Sequence, residues 1–222
     1  KIKNLKRIRY TTSHPRDFSM DLIEAHKNIE KLMPLIHLPV QSGSSKILEE
    51  MNRKHTIEEY LDIIKKLKLV KPNIKFSSDF IIGYPGETHD DFQETVKLMN
   101  NVKFINSYSF IYSARPGTPA YGLTEINQKD SKKRLIYFQG AAGKIKTKYR
   151  ETLINKTSTV LFENKVKDVN KYFGRDEYFN SVIVKSDEIL TGKIKNVKIL
   201  EGNQSTFFGE IIPHPNKKYC AA

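Results

Sequence analysis

A single cysteine, Cys220, no tryptophan and a shortage of acid relative to base mark this 222-residue chain. One thiol excludes an internal disulfide framework, and it excludes an iron–sulfur cluster held by the chain's own thiolates. Long apolar runs are missing too. No stretch approaches membrane-spanning length, and the start Lys1-Ile-Lys-Asn-Leu-Lys has neither an initiator Met nor the apolar core of a signal peptide. The chain is therefore expected to be cytoplasmic, to have no membrane partner, and to be cut from something longer. No G-x-S-x-G, Walker loop or G-x-G-x-x-G is present, which removes support from hydrolase and nucleoside-triphosphatase readings. His14, His37, His55 and His89 lack ligand spacing such as H-x-x-x-H, so no metal site is expected from them.

What is present is an ordinary globular composition, 38% hydrophobic and 28% charged, enough for one large domain or two smaller ones. Lys and Arg outnumber Asp and Glu by 38 to 25, a net charge of +13 that points to an anionic partner, most often nucleic acid.

The stretch Ser77-Ser-Asp-Phe-Ile-Ile-Gly-Tyr-Pro-Gly-Glu-Thr88 organises the chain. Lys75 to Ile82 is a β-branched and aromatic run without helical spacing, so it reads as a buried strand. Gly83, Pro85 and Gly86 then make a tight turn. Thr88 caps a helix from about His89 to Val102, with Asp90, Asp91 and Glu94 near the favourable end of its dipole. The same alternation surrounds it. Ile8 to Tyr10 reads as a strand ending in Thr11-Thr-Ser-His-Pro15, Asp17 to Met33 as an amphipathic helix stopped by Pro34, and Leu35 to Val40 as a strand. Gln41 to Ser45 is a polar turn into a helix reaching about Met51. A capping box, Thr56 to Glu59, opens a helix to Val70, and a last strand runs from Ile105 to Tyr112.

Strands alternating with helices imply right-handed βαβ units and a parallel sheet. Four polar strand-end turns, Thr11 to His14, Gln41 to Ser44, Gly83 to Glu87 and Ser113 to Thr118, then share one face and make one large site. Lys129 to about Ile154 reads as a long, strongly basic helix, with a bend or boundary expected at Gly140 and Gly143. Its lysines, Lys144 and Lys148 among them, suit either a solvated face or nucleic-acid contact. Beyond Lys156 come short β-branched runs, Thr157 to Phe162, Tyr178 to Lys185, Gly192 to Ile199 and Thr206 to Ile212. Turns such as Gly174-Arg-Asp separate them, which predicts a small antiparallel barrel with Lys193, Lys195 and Lys198 on or beside one strand. Basic, aromatic barrels of this size commonly bind RNA.

Three motifs in order, His37-Leu-Pro-Val-Gln-Ser-Gly-Ser44, Ser77 to Thr88, and Ser107-Tyr-Ser-Phe-Ile-Tyr-Ser-Ala-Arg-Pro-Gly-Thr-Pro-Ala120, closely resemble the radical S-adenosylmethionine (SAM) methylthiotransferases. Arg7 to Pro15 agrees with them, and the resemblance runs to about residue 212. It implies an α/β fold: the C-terminal part of a radical SAM (β/α) half-barrel over 1–155, followed by a TRAM RNA-binding barrel over 156–215. It implies SAM as cofactor, with Gln41 and Ser42 contacting its sugar or amino-acid end and Ser78, Asp79, Ile81 and Gly83 lying where relatives place an adenine-contacting motif. Arg115, Lys144, Lys148, Lys193 and Lys195 are the expected substrate contacts.

The implied reaction is methylthiolation of carbon-2 of isopentenyl-adenosine next to the tRNA anticodon. The alternatives are the same chemistry on threonylcarbamoyl-adenosine or on a ribosomal protein, or a non-catalytic RNA-binding fragment. Two [4Fe–4S] clusters belong to the complete family pattern, with tRNA as substrate, a flavodoxin or ferredoxin as electron donor and a monomeric state. Their cysteine loops are missing here, and Cys220 lies beyond the barrel.

Overall fold

The computed structural model describes residues 2–11, 14–167 and 170–212. Thr12 and Ser13 of the first expected turn, and Cys220, lie outside them. The chain divides into two compact units, Lys1–Lys146 and a second from Thr147 onward. The division falls nine residues before the expected 155/156 boundary, inside a helix.

The first unit is built on a parallel sheet. β1 (Leu35–His37) pairs with β2 (Lys75–Ile82), and β2 pairs with β3 (Asn106–Ile111), both parallel. Side chains alternate across β2. Phe76, Ser78, Phe80 and Ile82 are buried, while Lys75, Asp79 and Ile81 are partly open. The buried row packs with α3 (Ile57–Val70), α4 (His89–Val102) and α5 (Gln128–Glu151) in one core, where Phe80 is fully buried against Phe104 and Phe138, at 4.7 Å from the latter. Capping boxes start α3 and α4: Thr56 with Glu59, and Thr88 with Asp91, each bond backbone and side chain reciprocally. The open row of β2 is left for the site.

Three expectations change. The Ile8 to Tyr10 strand is a single bridge, Ile8 to Leu32, and the helix expected over Asp17 to Met33 is α1 (Met20–Asn28) alone, capped by Ser19. Leu32 and Met33 are buried, but as extended chain: Ile8 donates to Lys31 O and Met33 donates back to Ile8 O. α5 is helical without interruption through Gly140 and Gly143. Leu135, Phe138, Ala141, Ala142 and Ile145 pack on the first unit's core, and this burial outweighs the roughly 1 kcal/mol that each glycine costs a helix.

The second unit is a closed barrel in the order β4-β5-β6-β8-β7, formed by β4 (Thr157–Lys165), β5 (Lys171–Arg175), β6 (Ser181–Lys185), β7 (Ile194–Gly202) and β8 (Thr206–Ile211). Val160, Phe162, Tyr172, Val182, Val184, Leu190, Val197, Ile199 and Phe207 fill it. The barrel is mixed rather than antiparallel, because β6 and β8 run parallel. Strict alternation cannot close around a ring with an odd number of strands, so one parallel pair is required. β5 contains Gly174, which the sequence presents as a turn residue; it lies opposite Phe162, where a Cβ would stand 2.5 Å from Leu161 O.

α1 also carries a pH-sensitive group. His26 is 2% exposed, its Nε2 lies 2.7 Å from the Tyr10 hydroxyl, and its Nδ1 has no partner among the described residues. Burial, reinforced by Lys71, brings the imidazole down to about 4, and burial pushes Tyr10 up to about 12. A histidine depressed in the folded state stabilises fully above its unfolded value near 6.5 and loses that contribution as pH falls towards 4. Denaturant titrations are expected to show a loss of about 2–3 kcal/mol from this residue between pH 7 and pH 4. His26→Phe should flatten the profile over that range; an unchanged profile would place the titration elsewhere.

Candidate functional site

A cavity of about 590 Å³ opens at the C-terminal ends of the three parallel strands. Its lining includes Gln41 beyond β1, Asp79 and Ile81 of β2, and Phe110, Tyr112 and Arg115 on and after β3. These residues converge for the reason inferred from the sequence: parallel strands bring equivalent ends to one face. Gln41 is held there by the backbone. Its N–H donates to Asp79 O at 3.0 Å and its carbonyl accepts from Ile81 N at 2.8 Å, with φ at +76°. Lower on the same face, His37 Nε2 lies 3.4 Å from Asp79 Oδ2 and His37 Nδ1 lies 3.0 Å from Ser77 Oγ. The His37 ring also meets Tyr108 edge-on.

Ser42, Ser78 and Gly83 do not line this cavity. Ser78 is fully buried and clamps β1 to β2: its hydroxyl donates to Leu38 O at 2.8 Å and accepts from Val40 N at 2.9 Å. Ser42, 1% exposed, approaches Thr95 Oγ1 on α4 at 3.3 Å, and Gly43 N donates to the same oxygen at 2.9 Å. Ser44 donates to Asp91 Oδ1 at 2.7 Å. Burial alone would raise the Asp91 pKa, but hydrogen bonds from Thr88 and Ser44, with Lys46 nearby, bring it down to about 2. The polar turn after β1 is thus riveted to the start of α4, and Gln41 is the member that faces the cavity.

The Gly83 turn is secured by a buried ion pair. Glu87 Oε2 accepts from Gly83 N at 3.2 Å, and Glu87 Oε1 accepts from Arg134 Nη1 of α5 at 2.6 Å. Burial raises the Glu87 pKa, while the bonds from Arg134 and Gly83 oppose the rise. The turn after β2, beyond the cavity-lining Ile81, is therefore held by a fixed frame.

Arg53, which sequence reading passes over, also lines the cavity, with Glu50 and Asn52 beside it. No local motif marks it, because it reaches the site from the loop between α2 (Ser45–Glu50) and α3 rather than from a strand end. Of the lysines, Lys144 on the first unit is exposed. On the second unit Lys148 and Lys193 are exposed, and Lys195 pairs with Glu188 at 3.6 Å.

The described residues gather no group of three or more His, Cys, Asp or Glu side chains suited to a metal ion, so they do not fit an iron–sulfur cluster. The cavity's volume is in the range of small-molecule sites, and apolar and aromatic side chains line it beside carboxylate, amide and guanidinium groups.

A family profile described as the radical SAM superfamily matches residues 1–99. The chain is 54% identical over 214 residues to tRNA-2-methylthio-N(6)-dimethylallyladenosine synthase of Pelagibacter ubique, an alignment covering 96% of this chain and 48% of that protein. Proteins of the same name from Wolbachia pipientis wMel, 49% identical over 212 residues, and Ehrlichia canis, 46% over 215, match 94% and 95% of this chain. They are covered over 48% and 49% of their own lengths. The chain spans about half the length of the curated relatives it matches.

Proposed function

We propose, for a chain that belongs to the radical SAM methylthiotransferases, that it supplies part of the cofactor and substrate site, together with the tRNA-binding barrel, of an enzyme acting on carbon-2 of isopentenyl-adenosine in tRNA. The observation that carries this reading is that the motif residues Gln41, Asp79 and Ile81 meet at one cavity in a chain 54% identical to such a synthase. In this reading the Asp79 carboxylate accepts hydrogen bonds from ribose hydroxyls, and the Gln41 amide bonds the sugar or amino-acid end of SAM. The backbone at Ile81 meets the adenine edge. Ser42, Ser78 and Gly83 act at one remove by holding those groups in place, and Arg115 takes a phosphate or carboxylate. When bound, SAM supplies the adenosyl and methyl groups of the family's chemistry; this chain positions them and limits solvent access. In the second unit Lys148, Lys193 and Lys195, and in the first Lys144, contribute collectively to RNA phosphate affinity.

The full-length enzyme, in this reading, carries two [4Fe–4S] clusters, takes electrons from a flavodoxin or ferredoxin, works as a monomer and resides in the cytoplasm. No described helix is long and apolar enough to cross a membrane.

Equilibrium dialysis of SAM against the full-length protein tests the site. Asp79→Asn is expected to weaken SAM affinity about tenfold or more, since hydrogen bonds to a charged group contribute about 1.5–3 kcal/mol. Its side chain is 31% exposed, so the fold should survive. An unchanged affinity would remove Asp79 from the cofactor site.

A further inference from the structure

We propose that His37 is a positioning residue that orients the Asp79 carboxylate from outside the cavity lining, a role that rests on the cofactor reading of Asp79 above. All three strands of the sheet contribute to the arrangement. His37 stands opposite Ser77 in the β1–β2 register, and Asp79 stands opposite Tyr108 in the β2–β3 register. Ser77 and Asp79 are two residues apart on β2, so strand alternation puts both side chains on the row that carries Ile81. The imidazole spans them. Its Nδ1 lies 3.0 Å from Ser77 Oγ and its Nε2 lies 3.4 Å from Asp79 Oδ2, while Tyr108 stands edge-on to the ring with 6.0 Å between centroids.

A carboxylate oxygen accepts and does not donate, so the nitrogen facing Asp79 carries the proton. In the neutral ring Nδ1 is then the acceptor, and the buried Ser77 hydroxyl donates to it. What His37 supplies to Asp79 is orientation. The last torsion of an aspartate side chain is broad, so a carboxylate that is 31% exposed needs a partner to fix its plane. Among the described residues that partner engages Oδ2, which leaves Oδ1 for a ligand hydroxyl. A group already held in its binding geometry loses less freedom when the ligand arrives.

Two comparisons separate His37 from a histidine that only fills space. His26 and His55 are buried, and each leaves one ring nitrogen without a partner among the described residues, whereas both nitrogens of His37 face polar atoms of β2. Nor is the His37 side chain needed to join the strands. β1 and β2 are already linked by their backbone ladder and by the Ser78 hydroxyl, which bonds Leu38 O and Val40 N.

Equilibrium dialysis of SAM against the full-length holoenzyme tests the assignment. His37→Leu is expected to weaken SAM binding about fivefold, less than the loss of the carboxylate's charge in Asp79→Asn. Two amides then discriminate, because glutamine carries its NH2 group to the place of Nε2 and asparagine only to that of Nδ1. His37→Gln should stay within about twofold of the unaltered protein, while His37→Asn should lose as much as His37→Leu; both keep a polar side chain, which guards against a misfolded leucine variant. In an Asp79→Asn background His37→Leu should cost no further affinity, since its effect runs through the carboxylate. Unchanged SAM affinity in all three His37 variants would overturn the proposal. So would rescue by asparagine rather than glutamine, the pattern of a clamp on Ser77, or an undiminished loss in the Asp79→Asn background. Full SAM affinity in Asp79→Asn alone would instead reject the cofactor reading itself, a failure seen with His37 unaltered.

Discussion

Arg134→Met is expected to destabilise the first unit by about 3–5 kcal/mol, because it strands a buried carboxylate. The Glu87 side chain is 1% exposed and its Oε1 is 2.6 Å from Arg134 Nη1, which also donates to Glu87 O at 3.0 Å. The guanidinium lies over the Phe92 ring as well, so its removal opens a packing defect beside the unpaired charge. Without Arg134 the Glu87 pKa, already raised by burial, should rise further. The sign of the pH dependence follows. An acid whose folded pKa exceeds its unfolded value costs stability above that unfolded value, and protonation relieves the cost as pH falls. The variant should therefore recover part of its loss between pH 7 and pH 5. Glu87→Gln combined with Arg134→Met should restore more, since neither charge is left alone. Urea titrations of the three proteins check this; a loss below about 1 kcal/mol in the single variant would mean that water reaches the carboxylate.

Gly43→Ala is expected to cost about 3 kcal/mol or more, at the upper end of overpacking penalties. A Cβ at position 43 would stand 2.4 Å from Thr95 Cα, 2.5 Å from Glu94 O and 2.6 Å from Thr95 N. All three are backbone atoms of α4 and none can swing aside. For a unit of this size the melting temperature should fall by roughly 6–12 °C. The turn also carries Gln41 into the cavity, so SAM affinity should drop with stability. Thr95→Ala is expected not to rescue the variant, because the obstacle is main chain; rescue would show that the clash is with a side chain.

How much of this was legible depends on how local the cause is. α3, β2 and α4 were readable almost to the residue, because Thr56 with Glu59 and Thr88 with Asp91 write helix starts into adjacent positions and β2 is buried among helices. Where the cause is distant, pattern misleads. Ile29, Leu32 and Met33 keep helical spacing but their chain leaves α1 to meet Ile8, and Gly174 looks like a turn residue but is required by Leu161 O across the barrel. The glycines of α5 leave the helix intact because Phe138 is anchored in a core that no local window contains.

The site divides the same way. Gln41, Asp79, Ile81 and Arg115 stand at strand ends, so topology alone assembles them. Ser42, Ser78 and Gly83 occupy the same motifs but serve the frame, a distinction set by which way each residue faces. Arg53 comes from a helix–helix loop, and its place at the cavity depends on Asn52 and Lys54 adopting conformations that sequence does not announce.

Nucleoside mass spectrometry of total tRNA, from cells with the full-length gene deleted and then restored, tests the central claim most directly. The account predicts loss of methylthio-isopentenyl-adenosine with accumulation of isopentenyl-adenosine on deletion, and recovery on restoration. An Asp79→Asn copy is expected to restore the modification poorly. An unchanged level of methylthio-isopentenyl-adenosine in the deleted cells would contradict the account.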